Sequence, residues 1–314
     1  AMCWSFLSLS DCSCRKSDEG LIINRLRKNA VEFSVLNKLA VCPIASESSL
    51  ALNRFIDQHN AYKSFDKTTQ MALYLSHILS SKTNIDQQVG INLSSSRGST
   101  ELLEQQHAAF LETGKMSVFT SPHTTLGNIS SAVGRHFNAS GIHFSHSITC
   151  SSALHSFCNA FAWIKSGMAH AFICGGVEAA LTPFTLRMFQ SLGIYSQDKS
   201  SMPCRPLAEK ATENTMLVGE GAALFYVDTK PEAALAELVG VGYSTELEKH
   251  TADISVDGQA FQASMSKALL HAGNPEVDYI MMHAPGTLKG DLAELNAIDA
   301  VFDSRPNLLS TKYL

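Results

Sequence analysis

Hydrophobic positions along the chain fall into two alternating rhythms. From Thr68 to Leu79, Met71, Ala72, Leu75, Ile78 and Leu79 recur at helical spacing and predict a helix. Val89 to Leu93 is a short apolar run ended by Ser94-Ser95-Ser96-Arg97-Gly98, which predicts a strand. A second helix is expected over 99–111. Further on, Ile142, Phe144, His146 and Ile148 alternate with His143, Ser145 and Ser147 at strand period. Leu154, Phe157, Cys158, Phe161 and Ile164 then take helical period, and Gly167 sits where a glycine ends a helix. His170 to Cys174 reads as a strand broken by Gly175-Gly176. Segment 142–176 therefore predicts one strand-helix-strand unit with a parallel pair and a right-handed crossover.

The second half repeats this order. Strands are expected at 236–242, 277–282 and 308–311, with helices at 258–271 and 291–302. Two comparable alternating halves predict an α/β layered fold. Residues 1–64 give no clear pattern.

Composition narrows the class. The 314 residues are 45% hydrophobic and 17% charged, enough for a sizeable core and against disorder. Twenty-four Lys and Arg against 29 Asp and Glu give −5, which argues against nucleic acid as a partner. No apolar run reaches the roughly 18 residues of a membrane span, so no membrane partner is expected. The eight cysteines are read as reduced thiols of a cytoplasmic protein, with no signal peptide. Cys12-Ser13-Cys14 has no second pair at finger spacing, so no metal site is expected.

Cys150 lies where a strand end meets a helix start, the place where α/β proteins gather reactive groups. The helix dipole there favours a thiolate. On residues alone an inert buried thiol stays open, and Cys158 and Cys174, on apolar stripes, fit that reading. His283 ends the strand Tyr279 to Met282 and precedes the turn Ala284-Pro285-Gly286-Thr287. Spacing alone reads Asp291 as a helix-start acid and Glu294 as part of a solvated face. Nucleotide-loop, esterase-elbow and zinc-helix templates are absent. Gly219-Glu220-Gly221-Ala222 lacks the third glycine of a dinucleotide fingerprint and precedes a strand.

Thr149-Cys150-Ser151-Ser152-Ala153-Leu154-His155 resembles the nucleophile motif of the β-ketoacyl-acyl-carrier-protein synthases, the thiolase-fold condensing enzymes. The likeness continues through Ile164 to Gly167, Gly175 to Pro183, Gly219 to Ala222, His283-Ala284-Pro285-Gly286-Thr287, Gly290-Asp291 with Glu294, and Ser310-Thr311-Lys312. These matches keep the family's order over 66–314.

The resemblance implies an α/β thiolase-like layered fold (αβαβα) in two related halves, 1–228 with the nucleophile and 229–314. It implies Cys150, His283, Lys312 and Glu294 as catalytic residues and Thr287 as a substrate-binding residue. Cys150 would hold an acyl thioester, its backbone N–H would contribute to an oxyanion hole, and malonyl carrier protein would add after losing carbon dioxide. No resident cofactor is implied, because the substrates travel on phosphopantetheine. Acyl carrier protein is the expected partner, with a homodimer or a heterodimer with another ketosynthase-like subunit. Two alternatives are a non-catalytic partner subunit of the chain-length-factor type and a thiolase or initiating synthase that uses coenzyme A.

The pattern also departs from the family. Pro285 stands at one pantetheine-contacting threonine position, 205–218 lacks an Arg-Asp-Gly triplet, and no glycine-rich first strand is recognisable in 2–20. The family's second catalytic histidine and closing strands would follow Leu314, so the C-terminal half is expected to be incomplete as given. These departures suggest a divergent branch.

Overall fold

The structure is a computed structural model and describes residues 2–8, 34–36, 38–208, 211–232, 234–246 and 254–312. The Cys12-Ser13-Cys14 reading lies outside the described residues. In chain order the elements are β1 (Met2–Ser8), β2 (Ser34–Leu36), β3 (Leu39–Val41), α1 (Ser46–Gln58), α2 (Lys67–Lys82), β4 (Gly90–Ser94), α3 (Thr100–Thr113) and α4 (Thr120–Thr124). They continue with α5 (Asn128–Phe137), β5 (His143–Phe144), α6 (Ser152–Lys165), β6 (Ala171–Glu178), α7 (Pro183–Ser191) and β7 (Gly221–Asp228). The last five are β8 (Glu237–Ser244), α8 (Gln259–His271), β9 (Tyr279–Met281), α9 (Leu288–Val301) and β10 (Asn307–Leu309). The chain forms two compact units, each made of separate segments.

One unit comprises 43–185 and 219–231. Its four-stranded sheet has the order β5-β4-β6-β7, with β5, β4 and β6 parallel and β7 antiparallel. Side chains alternate across β6. Ala171 and Ile173 join Val89, Ile91 and Leu93 in a core closed by α2 and α5, through Met71, Leu73, Ile129 and Val133. Phe172 and Cys174 point to the other face and pack with Ala160, Phe157 and Trp163 of α6. Both faces are thus covered, which explains why β4 and β6 read as apolar runs rather than alternating ones. Asp66 starts α2 by accepting the Thr68 N–H at 2.8 Å.

Three expectations are corrected here. The strand foreseen over 142–148 pairs with β4 only at His143 and Phe144. Beyond them Ser145 bonds the Ser130 hydroxyl at 2.7 Å and the Ser147 hydroxyl donates to the Ser96 carbonyl at 3.0 Å. Those side-chain bonds replace the ladder. The predicted parallel pair is also not a pair of neighbours, because β4 lies between β5 and β6. Finally, β6 does not break at its two glycines but runs through them to Glu178. A Cβ on Gly175, at φ 148°, would stand 2.0 Å from the Ala223 carbonyl oxygen of β7. One on Gly176 would stand 2.6 Å from the Ala153 Cβ of α6. The glycines permit contact on both sides of the strand; they do not end it.

The other unit comprises 1–42, 186–218 and 232–314. β1 and β8 pair antiparallel, β2 and β3 form a small antiparallel ribbon, and β9 and β10 pair in parallel around the crossover α9. α8 lies directly on β8, where a Cβ on Gly242 would meet the Ser264 carbonyl at 2.1 Å. Phe261, Met265, Ile280, Met282 and Ile298 close this core. The helices and strands foreseen after residue 236 are all present, with α9 beginning three residues before the expected 291.

A ring cluster fastens α1 to α2 and α5. Phe55 lies 4.4 Å from His59 and 5.2 Å from His77, and Tyr62 Oη is 2.9 Å from His136 Nδ1. Burial and then the neighbouring His77 and His59 hold the His136 imidazole below its usual range. A histidine so depressed contributes its stability above about pH 6.5 and loses it as pH falls. Thermal melts should therefore show a drop in Tm between pH 7.5 and 5.5. That drop should shrink in His136→Gln, which keeps a partner for Tyr62 but cannot titrate.

Candidate active site

In the first unit, the turn before α6 presents Cys150. Thr149 has φ 47°, a left-handed conformation that a branched side chain adopts only under constraint. The constraint comes from the two serines that follow. The Ser152 hydroxyl accepts the Ile148 N–H at 2.8 Å and donates to the Thr149 carbonyl at 2.6 Å. The Ser151 hydroxyl donates to the Ile148 carbonyl at 2.9 Å. Cys150 itself is exposed, just ahead of the Ser151 N-cap. Cys158 is half-buried, and Cys174 is buried with its thiol pushed up by desolvation. Accessibility thus separates Cys150 from the other two thiols of α6 and β6.

Two family-like motifs near this turn turn out to be structural ties. Glu178, at the end of β6, accepts the Ser96 N–H at 2.8 Å and the Ser95 hydroxyl at 3.1 Å, which joins the ends of β6 and β4. Glu220 of the Gly-Glu-Gly-Ala run accepts Lys67 Nζ at 2.6 Å and the Ile44 N–H at 3.1 Å.

In the second unit, His283 follows β9 in a turn held from below by two acids of α9. Glu294 accepts the His283 and Ala284 N–H groups at 2.8 Å each, one on either oxygen. Asp291 accepts Gly286 and Thr287 N–H on Oδ1, at 3.0 and 3.1 Å, and Leu207 N–H on Oδ2 at 2.9 Å. Glu294 is 0% exposed and Asp291 9%, so the solvated face read from spacing is corrected. The signal was overridden because backbone N–H groups, invisible in a hydrophobicity pattern, pull both carboxylates inward. Ala284 has φ 27° and Gly286 φ 82°, so the turn is left-handed twice. Thr287 opens α9 without a side-chain cap, and its hydroxyl lies where a Cβ on Gly290 would be 2.5 Å away.

Charge follows from this burial. Desolvation, and then the positive Lys312, push the His283 imidazole down to about 4. Desolvation pushes Glu294 up to about 7, against the pull of its two N–H donors. Lys312 is exposed, and its carbonyl accepts the Cys204 thiol at 3.3 Å. His283, Glu294, Thr287 and Lys312 therefore fall in one unit and Cys150 in the other. Spacing alone gave no sign of the Asp291 anchor or of His146 and His155 beside the Cys150 turn. Among the described residues no cluster of His, Cys, Asp or Glu could hold a metal, and no helix is long and apolar enough to cross a membrane. Surface cavities of about 340 and 460 Å³ lie along 63–120 and 269–307, and none of the five predicted site residues lines either.

Known structures first define the class. The fold matches a type II polyketide synthase acyl carrier protein in complex with its ketosynthase, with TM-score 0.76, 19% identity, 92% of this chain and 76% of that chain. It also matches a ketosynthase in complex with its chain length factor from Xenorhabdus doucetiae, with TM-score 0.74, 19% identity, 100% of this chain and 78% of that one. The likeness is one of fold, the thiolase-like ketosynthase fold. Residues 55–233 match the family Beta-ketoacyl synthase, N-terminal domain, and residues 235–313 match Beta-ketoacyl synthase, C-terminal domain. The chain belongs to the β-ketoacyl synthase family. Its relatives include 3-oxoacyl-[acyl-carrier-protein] synthase I, chloroplastic, from Arabidopsis thaliana, 32% identical over 67% of this chain and 44% of that protein. The chain spans about half the length of the curated relatives it matches.

Two outcomes test this geometry. Glu294→Ala leaves two buried N–H groups without acceptors and should lower stability by about 3 kcal/mol, read by denaturant unfolding. His283 should remain neutral, so its imidazole carbon-bound proton should show no titration step in NMR spectra between pH 5 and 8. The signs are opposite. His283 makes stability rise with pH between about 4 and 6.5, and Glu294 makes it fall between about 4.5 and 7.

Proposed function

We propose that the chain carries the condensing chemistry of a 3-oxoacyl-acyl-carrier-protein synthase, an acyltransferase of fatty-acid or polyketide assembly. The observation that carries this reading is the exposed Cys150 on a locked left-handed turn at the head of α6. The Cys150 thiolate would attack an acyl thioester, forming a new C–S bond while the carrier thiol leaves. Malonyl carrier protein would then lose carbon dioxide. The electron pair of the broken C–C bond would become an enolate, attack the acyl carbon and release the Cys150 thiolate.

His283, neutral at physiological pH, would donate a hydrogen bond to the developing enolate oxygen, which an imidazole can do without a competing proton loss. Glu294 would fix the His283 backbone, Lys312 would support the histidine electrostatically and Thr287 would contact the pantetheine arm. No resident cofactor enters this scheme. Acyl carrier protein is the proposed donor, and a second copy or a ketosynthase-like subunit the proposed dimer partner. A reducing compartment such as the cytoplasm is the proposed location.

A second reading, a non-catalytic partner subunit, is favoured by the fold likeness to a ketosynthase–chain length factor complex. Intact-mass spectrometry after incubation with acyl carrier protein or acyl coenzyme A separates these readings. The condensing reading expects one acyl adduct from the carrier protein, lost in Cys150→Ala. It expects His283→Ala to load normally but condense about a hundredfold more slowly. Product formation by a partner that survives Cys150→Ala would establish the partner reading instead. Loading from coenzyme A alone would place the chain with the initiating enzymes.

A further inference from the structure

The turn 284–288 offers one side-chain hydroxyl, that of Thr287, since Ala284, Pro285, Gly286 and Leu288 carry none. Asp291 of α9 accepts the Gly286 and Thr287 N–H groups. A second set of bonds reaches this turn from residues 214 and 215. The Thr215 N–H donates to the Gly286 carbonyl at 2.7 Å, and the Thr215 hydroxyl donates to the same oxygen at 3.3 Å. Asn214 Oδ1 accepts the Leu288 N–H at 3.0 Å, while its Nδ2 donates to the Gly193 carbonyl at 3.1 Å. The residues on either side of Thr287 are therefore both tied to 214–215. We propose that Asn214 and Thr215 form a latch, a pair of positioning residues that sets where the Thr287 hydroxyl stands for a pantetheine-bound substrate. The consequence for substrate rests on the condensing reading; the latch itself does not.

The latch is braced from behind. The Thr215 hydroxyl also accepts the Arg205 N–H at 3.1 Å, so one oxygen bridges the arm 205–208 and the turn. The Arg205 guanidinium donates to Glu213 at 3.4 Å and to the Met202 carbonyl at 3.0 Å, and it pairs with Asp198. Leu207, at φ 58°, gives its N–H to Asp291 Oδ2 and packs on the core formed by α8 and β9. Asp291 thus joins the arm to the turn it anchors. Thr215 is 3% exposed, so water competes little for its bonds. Gly286 has φ 82°, and a Cβ there would lie 2.9 Å from Thr215 Oγ1. A glycine is what admits the latch at this distance.

The test is amide hydrogen exchange on the whole protein in Asn214→Ala and Thr215→Val, with the α8 amides as the reference for global folding. The Gly286 and Thr287 N–H groups bond to Asp291 and not to the latch. A latch that places the turn should still protect them, so both should exchange about fivefold faster in each variant while α8 is unchanged. Asn214→Asp and Thr215→Ser, which keep the acceptor and the hydroxyl, should restore the native rates. Native rates at Gly286 and Thr287 in the first two variants overturn the proposal. If those variants fail to fold, the native protein decides. Protection of the Thr215, Gly286, Thr287 and Leu288 amides within about threefold of one another supports a single latched unit, and a spread beyond about tenfold overturns it. Condensation kinetics add a readout that a merely structural role would leave alone. KM for malonyl carrier protein should rise about tenfold in Asn214→Ala with kcat within about threefold, and an unchanged KM overturns the placement of Thr287. A native protein without any condensation would sink the condensing reading, and exchange would still decide the latch.

Discussion

The close approach of β6 to its neighbours on both sides is the constraint on which the first unit depends. Gly175 lets the β7 backbone come in, and Gly176 lets the first turn of α6 settle onto the strand. Ser156 completes the contact, since its hydroxyl accepts the Gly175 N–H at 2.9 Å and lies 3.2 Å from the Gly175 carbonyl. Once α6 is held at that distance, its first residues have one place to go. The segment that enters the helix must turn within a few residues of β5, and Cys150 is at the top of that turn. A side chain at either glycine would push the helix or the strand away, and Cys150 would move with it.

The second unit solves a similar problem with carboxylates. Glu294 and Asp291 lie three residues apart on α9 and so share one face of the helix. Between them they accept five N–H groups, from His283, Ala284, Gly286, Thr287 and Leu207. Burying two acids is costly unless their lone pairs are satisfied, and here most are satisfied by backbone. The arrangement makes the conformation of His283 a property of α9. It also leaves the imidazole ring in a desolvated, neutral state, the condition for a hydrogen-bond donor that does not lose its proton.

What the sequence shows of this is uneven for physical reasons. Helices α2, α6 and α8 are legible from their apolar spacing, although the line that α6 buries is Ser152, Ser156 and Ala160 and its Leu154 is exposed. Strand β6 was read only to Cys174, because Gly175-Gly176 looks like punctuation when the neighbouring backbones are unknown. The alternation at 142–148 was genuine, but Ser145 and Ser147 spend their hydroxyls on α5 and on the loop after β4, so the ladder stops at Phe144. α1 and α5 stand outside the elements foreseen from the sequence, although Leu52, Phe55 and Ile56 of α1 and Ile129, Ala132 and Val133 of α5 are buried at helical spacing. Cys150, His283 and Thr287 stand out as motif members. Glu294 was assigned its supporting part by family likeness and a solvated face by spacing, and only the fold shows which environment it occupies.

Both turns use one device. A non-glycine residue beside the candidate side chain is held with positive φ: Thr149 before Cys150 and Ala284 after His283. Each such residue costs about 1–2 kcal/mol against ordinary backbone. Ser151 and Ser152 offset that cost at the first turn, and Glu294 offsets it at the second, through hydrogen bonds to the turn backbone. The strain is kept in place by the groups that surround it. A glycine at 149 or 284 would relieve the strain but would also widen the range of conformations open to the neighbouring side chain. The branched and methyl side chains found there keep that range narrow, which favours a fixed thiol and a fixed imidazole over a marginally more stable turn.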